Sequence, residues 1–240
     1  MNKWILLLLC FSMSAFSDDK PLRVGTLDFY PPYVTRLQAA GGFSGFDIDV
    51  MHEVCERIEK ECVYNGFRFD ELFSLILADE IDVAVGAVLI TKGREELVLF
   101  SDPYIDGHMV FLVGKNQPTQ GAQKGLLVGV LQNMFPDETL KQLNVDPGKI
   151  KNYDNLDDLM NDLTEGKISK GLMDRHVAEY WLNSTSYEVS PITISKQVGD
   201  GYGIVLSPKN QELKNQINKA LQDMENDGTY ISIYNKYFAE

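Results

Sequence analysis

Apolar positions in this chain fall into two rhythms that alternate along its length. Short apolar runs at 22–25, 82–86, 126–131, 150–153, 170–173 and 203–206 read as buried strands. Between them, apolar residues recur at helical spacing. Phe46, Val50, Val54 and Ile58 share one face of a helix predicted over 46–61. Further helices are predicted over 69–78, from Pro136 onward, and over 155–165, 175–183, 210–226 and 229–238. Strands alternating with helices in this way predict an α/β protein whose parallel sheets are covered by helices.

The run Val83-Ala84-Val85 ends at Gly86, which lets backbone approach closely, and Arg94 follows after a short loop. Ligands in open α/β sheets bind beyond the C-terminal ends of strands, where this arginine falls. A guanidinium fork suits a carboxylate through two parallel hydrogen bonds, the structural alternative being a surface ion pair. Pro136 suits the first turn of its helix, with Phe135 in the cap position. Phenylalanine offers no side-chain acceptor there, so free N–H groups stay open to an anion or to water. Asp174 ends the strand Gly171-Leu172-Met173 and either accepts from an ammonium or caps the following helix. Tyr30 and Phe69 sit at comparable element ends, as core residues or as flat faces around a ligand side chain.

Composition narrows the setting. Residues 1–17 have the charge, apolar segment and small-x-small cleavage site of a secretory signal peptide, which predicts export to the periplasm. Beyond it remain Cys55 and Cys62, an even pair in an oxidising compartment, flanking a helix-to-strand junction. A bridge there closes a short loop, worth about 2–3 kcal/mol in the chain-entropy model. The three histidines are scattered and no metal-ligand spacing is present, so neither a metal nor a cofactor is expected. A net charge of −13 excludes a basic nucleic-acid footprint. The GFSGF at 42–46 lacks the last glycine of a nucleophile elbow, and GDGYG at 199–203 precedes a strand, unlike a dinucleotide loop.

Several longer stretches resemble one family throughout the predicted mature chain. They are VGTLDFYPPYV (24–34), GFDIDVMHEVCERIEKEC (45–62), FDELFSLILADEIDVAVGAVLITKGRE (69–95), FSDPY (100–104), VGVLQ (128–132), LMDRHVAE (172–179), GDGYGIVL (199–206) and NKALQDMENDGTYISIYNKYF (218–238). Together they resemble the periplasmic amino-acid-binding proteins of ABC transporters, nearest the lysine/arginine/ornithine-binding type. The resemblance implies a type II periplasmic-binding-protein fold, with two α/β lobes joined by two crossing strands. Lobe I would take 18–108 and 196–240, and lobe II 109–195. It implies a disulfide between Cys55 and Cys62, Arg94 on a ligand α-carboxylate, and Asp174 on the α-ammonium from the other lobe. Tyr30 and Phe69 would flank the ligand side chain, with Gly86, Leu89, Leu131, Met134 and Phe135 also lining the cleft.

Departures from the family accompany these matches. Leu27 replaces the usual aspartate after Gly-Thr, and rotation of the loop would bring Asp28 into that role. Leu89 replaces a hydroxyl residue, and Asn133-Met134-Phe135 replaces a glycine-hydroxyl turn, leaving only backbone N–H groups. The implied function is capture of a free amino acid, arginine or lysine first, by a monomer that serves a membrane permease. A sensor serving a membrane receptor and a cyclohexadienyl-type dehydratase on the same fold are the alternatives.

Overall fold

A computed structural model describes residues 20–37, 41–114, 127–183 and 189–239. The expected signal peptide lies outside the described residues. In chain order the strands are β1 (Leu22–Leu27), β2 (Phe29–Tyr30), β3 (Val34–Arg36), β4 (Phe43–Ser44), β5 (Cys62–Phe67), β6 (Val83–Ala84) and β7 (Leu99–Phe100). They continue as β8 (His108–Gly114), β9 (Val128–Leu131), β10 (Ile150–Tyr153), β11 (Lys170–Asp174), β12 (Val189–Gln197) and β13 (Val205–Leu206). The helices are α1 (Phe46–Arg57), α2 (Phe69–Leu77), α3 (Lys92–Glu95), α4 (Asp137–Gln142), α5 (Leu156–Thr164), α6 (Arg175–Asn183), α7 (Gln211–Asp227) and α8 (Thr229–Phe238).

Two five-stranded sheets organise the molecule, in the orders β5-β1-β6-β13-β7 and β10-β9-β11-β8-β12. The result is a two-lobed α/β fold of the type II periplasmic-binding-protein kind. Strand β1 runs parallel to β5 and β6, and β11 runs parallel to β9. Its burial on both faces matches a strand covered by helices, and all but Arg23 of β1 is buried. The sheets are mixed, however, and not wholly parallel. Strand β13 is antiparallel to β6 and β7, and β8 is antiparallel to both β11 and β12. Sequence reading gave no strand at β8 or β12, whose pairing partners lie roughly 80 residues apart. Strand β8 is an almost continuously buried apolar run, so it carries no alternation to mark it.

The chain passes between the sheets twice, and the two passages lie side by side. Val198 donates its N–H to the Gly107 carbonyl at 3.1 Å, and Tyr202 donates to Ile105 at 2.8 Å. Tyr104 donates back to the Tyr202 carbonyl at 3.0 Å. Helix faces follow the predicted spacing. In α5 the buried residues are Leu156, Leu159, Met160 and Leu163, one stripe at i, i+3, i+4 and i+7.

Boundaries moved where local backbone outweighed the apolar pattern. Helix α1 stops at Arg57, not near residue 61, because Glu59 turns left-handed at φ 56°. Strand β6 keeps only two of five expected residues, and β13 begins at Val205. Cys55 at the end of α1 and Cys62 opening β5 form a disulfide.

Candidate ligand-binding cleft

Arg94 lies in the one-turn helix α3, which begins after Thr91, whose hydroxyl accepts from the Arg94 N–H at 3.4 Å. The whole residue is only 7% exposed. Its guanidinium lies over the Phe69 ring at 5.2 Å and the Phe73 ring at 5.1 Å, two cation–π contacts from consecutive turns of α2. Nη1 donates to the Leu89 carbonyl at 2.9 Å. Nη2 reaches across to the other lobe, donating to the Asn133 carbonyl at 3.0 Å and the Met134 carbonyl at 2.9 Å. Burial pulls the Arg94 pKa down to about 10, against the raising influence of Tyr202 and Glu138.

The turn that meets Arg94 follows β9. Asn133 is left-handed at φ 58°, and Met134 N–H closes on the Leu131 carbonyl at 3.1 Å. Sequence reading expected this segment to offer N–H donors. Its carbonyl oxygens are what face the arginine. The cap position of α4 also falls to Pro136, not Phe135, since the helix begins one residue later at Asp137. Proline at 136 has an extended backbone (ψ 154°), which ends the turn before the helix starts.

Asp174 forms the opposite pole and is completely buried at the end of β11. Its Oδ1 accepts from the Tyr33 hydroxyl at 2.9 Å and from the His176 N–H at 2.7 Å. Its Oδ2 accepts from the Tyr202 hydroxyl at 2.9 Å. The His176 contact is the helix-capping alternative of the two readings for this residue. Burial pushes the Asp174 carboxyl above the usual carboxylate range, while His176 and the two tyrosine hydroxyls oppose the shift. Tyr33 and Tyr202 belong to the lobe of the first sheet. Both poles of the cleft are therefore joined across the lobes by hydrogen bonds of the protein itself.

The remaining expected residues divide into core and rim. Tyr30 is buried, with its ring 6.2 Å from Tyr33 and its hydroxyl accepting from the Asp174 N–H at 3.5 Å. Phe69 packs on Phe73 and under Arg94, so its flat face meets a cation of the protein. Leu89, Leu131, Met134 and Phe135 are all buried. Gly86 adopts φ 140°, and a Cβ there would press on the Leu27 side chain at 3.0 Å. Asp28 sits at the rim, half exposed, in an ion pair with Arg36 at 2.8 Å.

Sequence reasoning missed Tyr33, Tyr202, Phe73 and Asp47. Tyr33 and Tyr202 stand inside quoted motifs, beside the prolines of YPPYV and within GDGYG, but nothing in those motifs points to Asp174. Asp47 follows α1's first residue, is fully buried, and accepts the Ala87 N–H at 2.7 Å. Burial lifts its carboxyl to about 7, with the amides of Ala87 and Gly86 and the Tyr104 hydroxyl pulling the other way.

Between the lobes at this rim remains a cavity of about 120 Å³, lined by Asp28, Phe69, Asp70, Leu131 and Asp154 among others. Ligand pockets commonly reach about 300–1,000 Å³, and this cavity is smaller and is lined by neither Arg94 nor Asp174. A larger cavity of about 850 Å³ lies elsewhere, between α6 and α8.

Two mixed sheets with paired crossings and a charged inter-lobe seam define a two-lobed solute-binding protein. The chain belongs to the bacterial extracellular solute-binding proteins, family 3, whose model matches residues 22–240. It is 33% identical over 230 residues to the lysine/arginine/ornithine-binding periplasmic protein of Escherichia coli K12, covering 90% of this chain and 87% of that one. The histidine-binding periplasmic protein of Salmonella typhimurium LT2 is 32% identical, covering 97% and 94%. An arginine transport periplasmic binding protein from Legionella pneumophila superposes with a TM-score of 0.83 at 27% identity, covering 91% and 99%.

Proposed function

We propose that this chain captures a free L-amino acid outside the cytoplasm, in the cleft between its lobes, and delivers it to the permease of an ABC importer. The ligand is polar or basic, arginine or lysine first. We assign lobe I to 18–108 and 196–240, lobe II to 109–195, and residues 1–17 to a signal peptide that sends the protein to the periplasm. The reading is of a binding protein and not an enzyme, in keeping with the relatives, which are named as binding proteins.

One observation supports this most strongly: a buried arginine of one lobe and a buried aspartate of the other each hydrogen-bond across to the opposite lobe. A zwitterionic head group matches that pair of charges. Arg94 would grip the carboxylate and Asp174 the ammonium, and a ligand that engages both binds the closed arrangement better than the open one. Such differential affinity is what shifts an open–closed equilibrium. The cavity rim adds Asp28, Asp70 and Asp154 beside Phe29, Phe67 and Phe69, surroundings that suit a cationic side chain.

The test is a thermal-shift screen of the mature protein with the twenty amino acids, ornithine and citrulline. A ligand at 100 times its Kd adds about 2.7 kcal/mol of stability. Arg94→Ala is expected to abolish the shift for every ligand found. A full shift in that variant would refute the carboxylate assignment.

A further inference from the structure

Asp47 stands in the first turn of α1 and is only 1% exposed. The titratable groups that face it are three hydroxyls and one further acid. Tyr33 comes from the turn between β2 and β3, Tyr104 from the first passage between the sheets, Tyr230 from α8 and Asp174 from the second sheet. None of these supplies a positive charge. A carboxylate in such surroundings lies at a poise where a small change of nearby charge moves its proton.

Its bonds lead to both proposed head-group residues. Oδ2 accepts the Ala87 N–H at 2.7 Å, and the Gly86 amide also favours the charged carboxyl. Gly86 and Ala87 have positive φ, 140° and 50°, so the chain turns sharply as it leaves β6. The residues just beyond that turn carry the arginine. The Leu89 carbonyl accepts from Arg94 at 2.9 Å, and Thr91 caps the short helix in which Arg94 stands. An ionised carboxylate holds amide donors more firmly than a protonated one. On its other side the Asp47 N–H donates to the Tyr33 carbonyl at 3.1 Å, and the Tyr33 hydroxyl donates to Asp174 at 2.9 Å. One buried acid therefore supports the turn before Arg94 and the tyrosine that reaches Asp174.

We propose that Asp47 is a positioning residue of the cleft, which fastens the turn before Arg94 and gives up a proton to solvent when a ligand ammonium docks against Asp174, so that amino-acid affinity rises with pH. This rests on the amino-acid reading, because the ammonium at Asp174 is the trigger. Burial is the main reason the Asp47 carboxyl stands at about 7, and the negative charge of Asp174 pushes the same way. An ammonium beside Asp174 offsets that charge and eases ionisation of Asp47. Linkage is reciprocal: if ligand expels the proton, loss of the proton tightens the ligand by the same factor. Affinity is accordingly lower where Asp47 is protonated and higher where it is ionised, with the change centred near pH 7.

The experiment is isothermal titration of the mature protein with L-arginine and L-lysine first, then the other standard amino acids except histidine, which titrates in the same window. For those that bind, the parent is expected to tighten by about fivefold or more between pH 5.5 and pH 8, the low end of ordinary coupling between sites. At pH 7 its heats in phosphate and in Tris should differ by the release of a fraction of a proton. A constant affinity, or heats that do not depend on the buffer, overturns the proposal, and this arm needs no variant to fold. Asp47→Asn never ionises but keeps a carbonyl for the Ala87 N–H. It is expected to match the parent at pH 5.5, to bind about fivefold more weakly at pH 8, and to release no proton. A variant that keeps the parent's rise with pH assigns the proton to another group, Asp174 among them, and overturns the proposal. A variant weakened equally at both pH values shows a structural role alone and overturns it too. If no amino acid binds the parent, the amino-acid reading itself has failed and this inference falls with it.

Discussion

Replacing Asp47 with asparagine isolates the cost of a buried carboxylate. Asp47 is fully buried, and its Oδ2 accepts the Ala87 N–H at 2.7 Å. Its Oδ1 has no partner at ordinary hydrogen-bond distance among the described residues, although the Tyr104 hydroxyl lies near enough to favour the charged form. Asp174 adds a further negative charge nearby, and burial is the largest cause of a rise from 3.8 to about 7. A carboxyl whose pKa is raised on folding keeps a proton that the unfolded chain releases. Its full contribution is therefore present below about 3.8 and is lost as pH rises through about 7. The gap between those values, at about 1.4 kcal/mol for each pH unit, sets a ceiling of about 4 kcal/mol. That is a large share of the ~5–15 kcal/mol that holds a typical domain together.

Asparagine has nearly the same shape, retains a carbonyl for Ala87 and presents an NH₂ donor toward Tyr104, yet never ionises. The difference between Asp47→Asn and parent should be near zero at pH 4 and grow by up to about 4 kcal/mol by pH 8. Urea unfolding followed by tryptophan fluorescence, at half-unit steps between those pH values, measures it directly. Asp174 shifts in the same direction and is present in both proteins, so the difference retains from it only its repulsion of the Asp47 carboxylate, which asparagine removes. Parallel pH profiles for the two proteins, or a variant less stable than parent at pH 8, would refute the reasoning.

Other outcomes follow from local geometry. Gly45→Ala forces a side chain onto φ 137° and drives its Cβ into the Tyr33 carbonyl, which belongs to backbone and cannot retreat. Chemical denaturation should show a loss of about 2 kcal/mol or more. Reducing the Cys55–Cys62 bridge, which spans a separation of seven residues, should lower stability by about 2.5 kcal/mol in the chain-entropy model. A melt with and without dithiothreitol reads that loss, and an unchanged midpoint would contradict it. Arg94→Lys keeps the charge but loses the planar fork over Phe69 and Phe73 and its bonds to the 133–134 turn. It should abolish ligand-induced thermal shifts as Arg94→Ala does, because a single ammonium cannot grip a carboxylate through two parallel bonds.

What the sequence determined by itself is local and periodic. The apolar stripe of α5, the helix 175–183 and the strand at β10 fall where spacing predicts, because each depends on neighbours within a few residues. The cysteine pair was equally legible, since an even number of cysteines in an oxidising compartment carries its own chemistry. Tertiary structure decided what depends on contacts distant in sequence. Strands β8 and β12 exist because they pair with each other across the second sheet, which no local pattern announces. Tyr33 and Tyr202 meet Asp174 from 141 and 28 residues away, and the Arg94 donors end on carbonyls of a turn 39 and 40 residues on. Carbonyl oxygens are shared by every residue type, so the partners of a buried charge become visible only once folding has brought two lobes face to face.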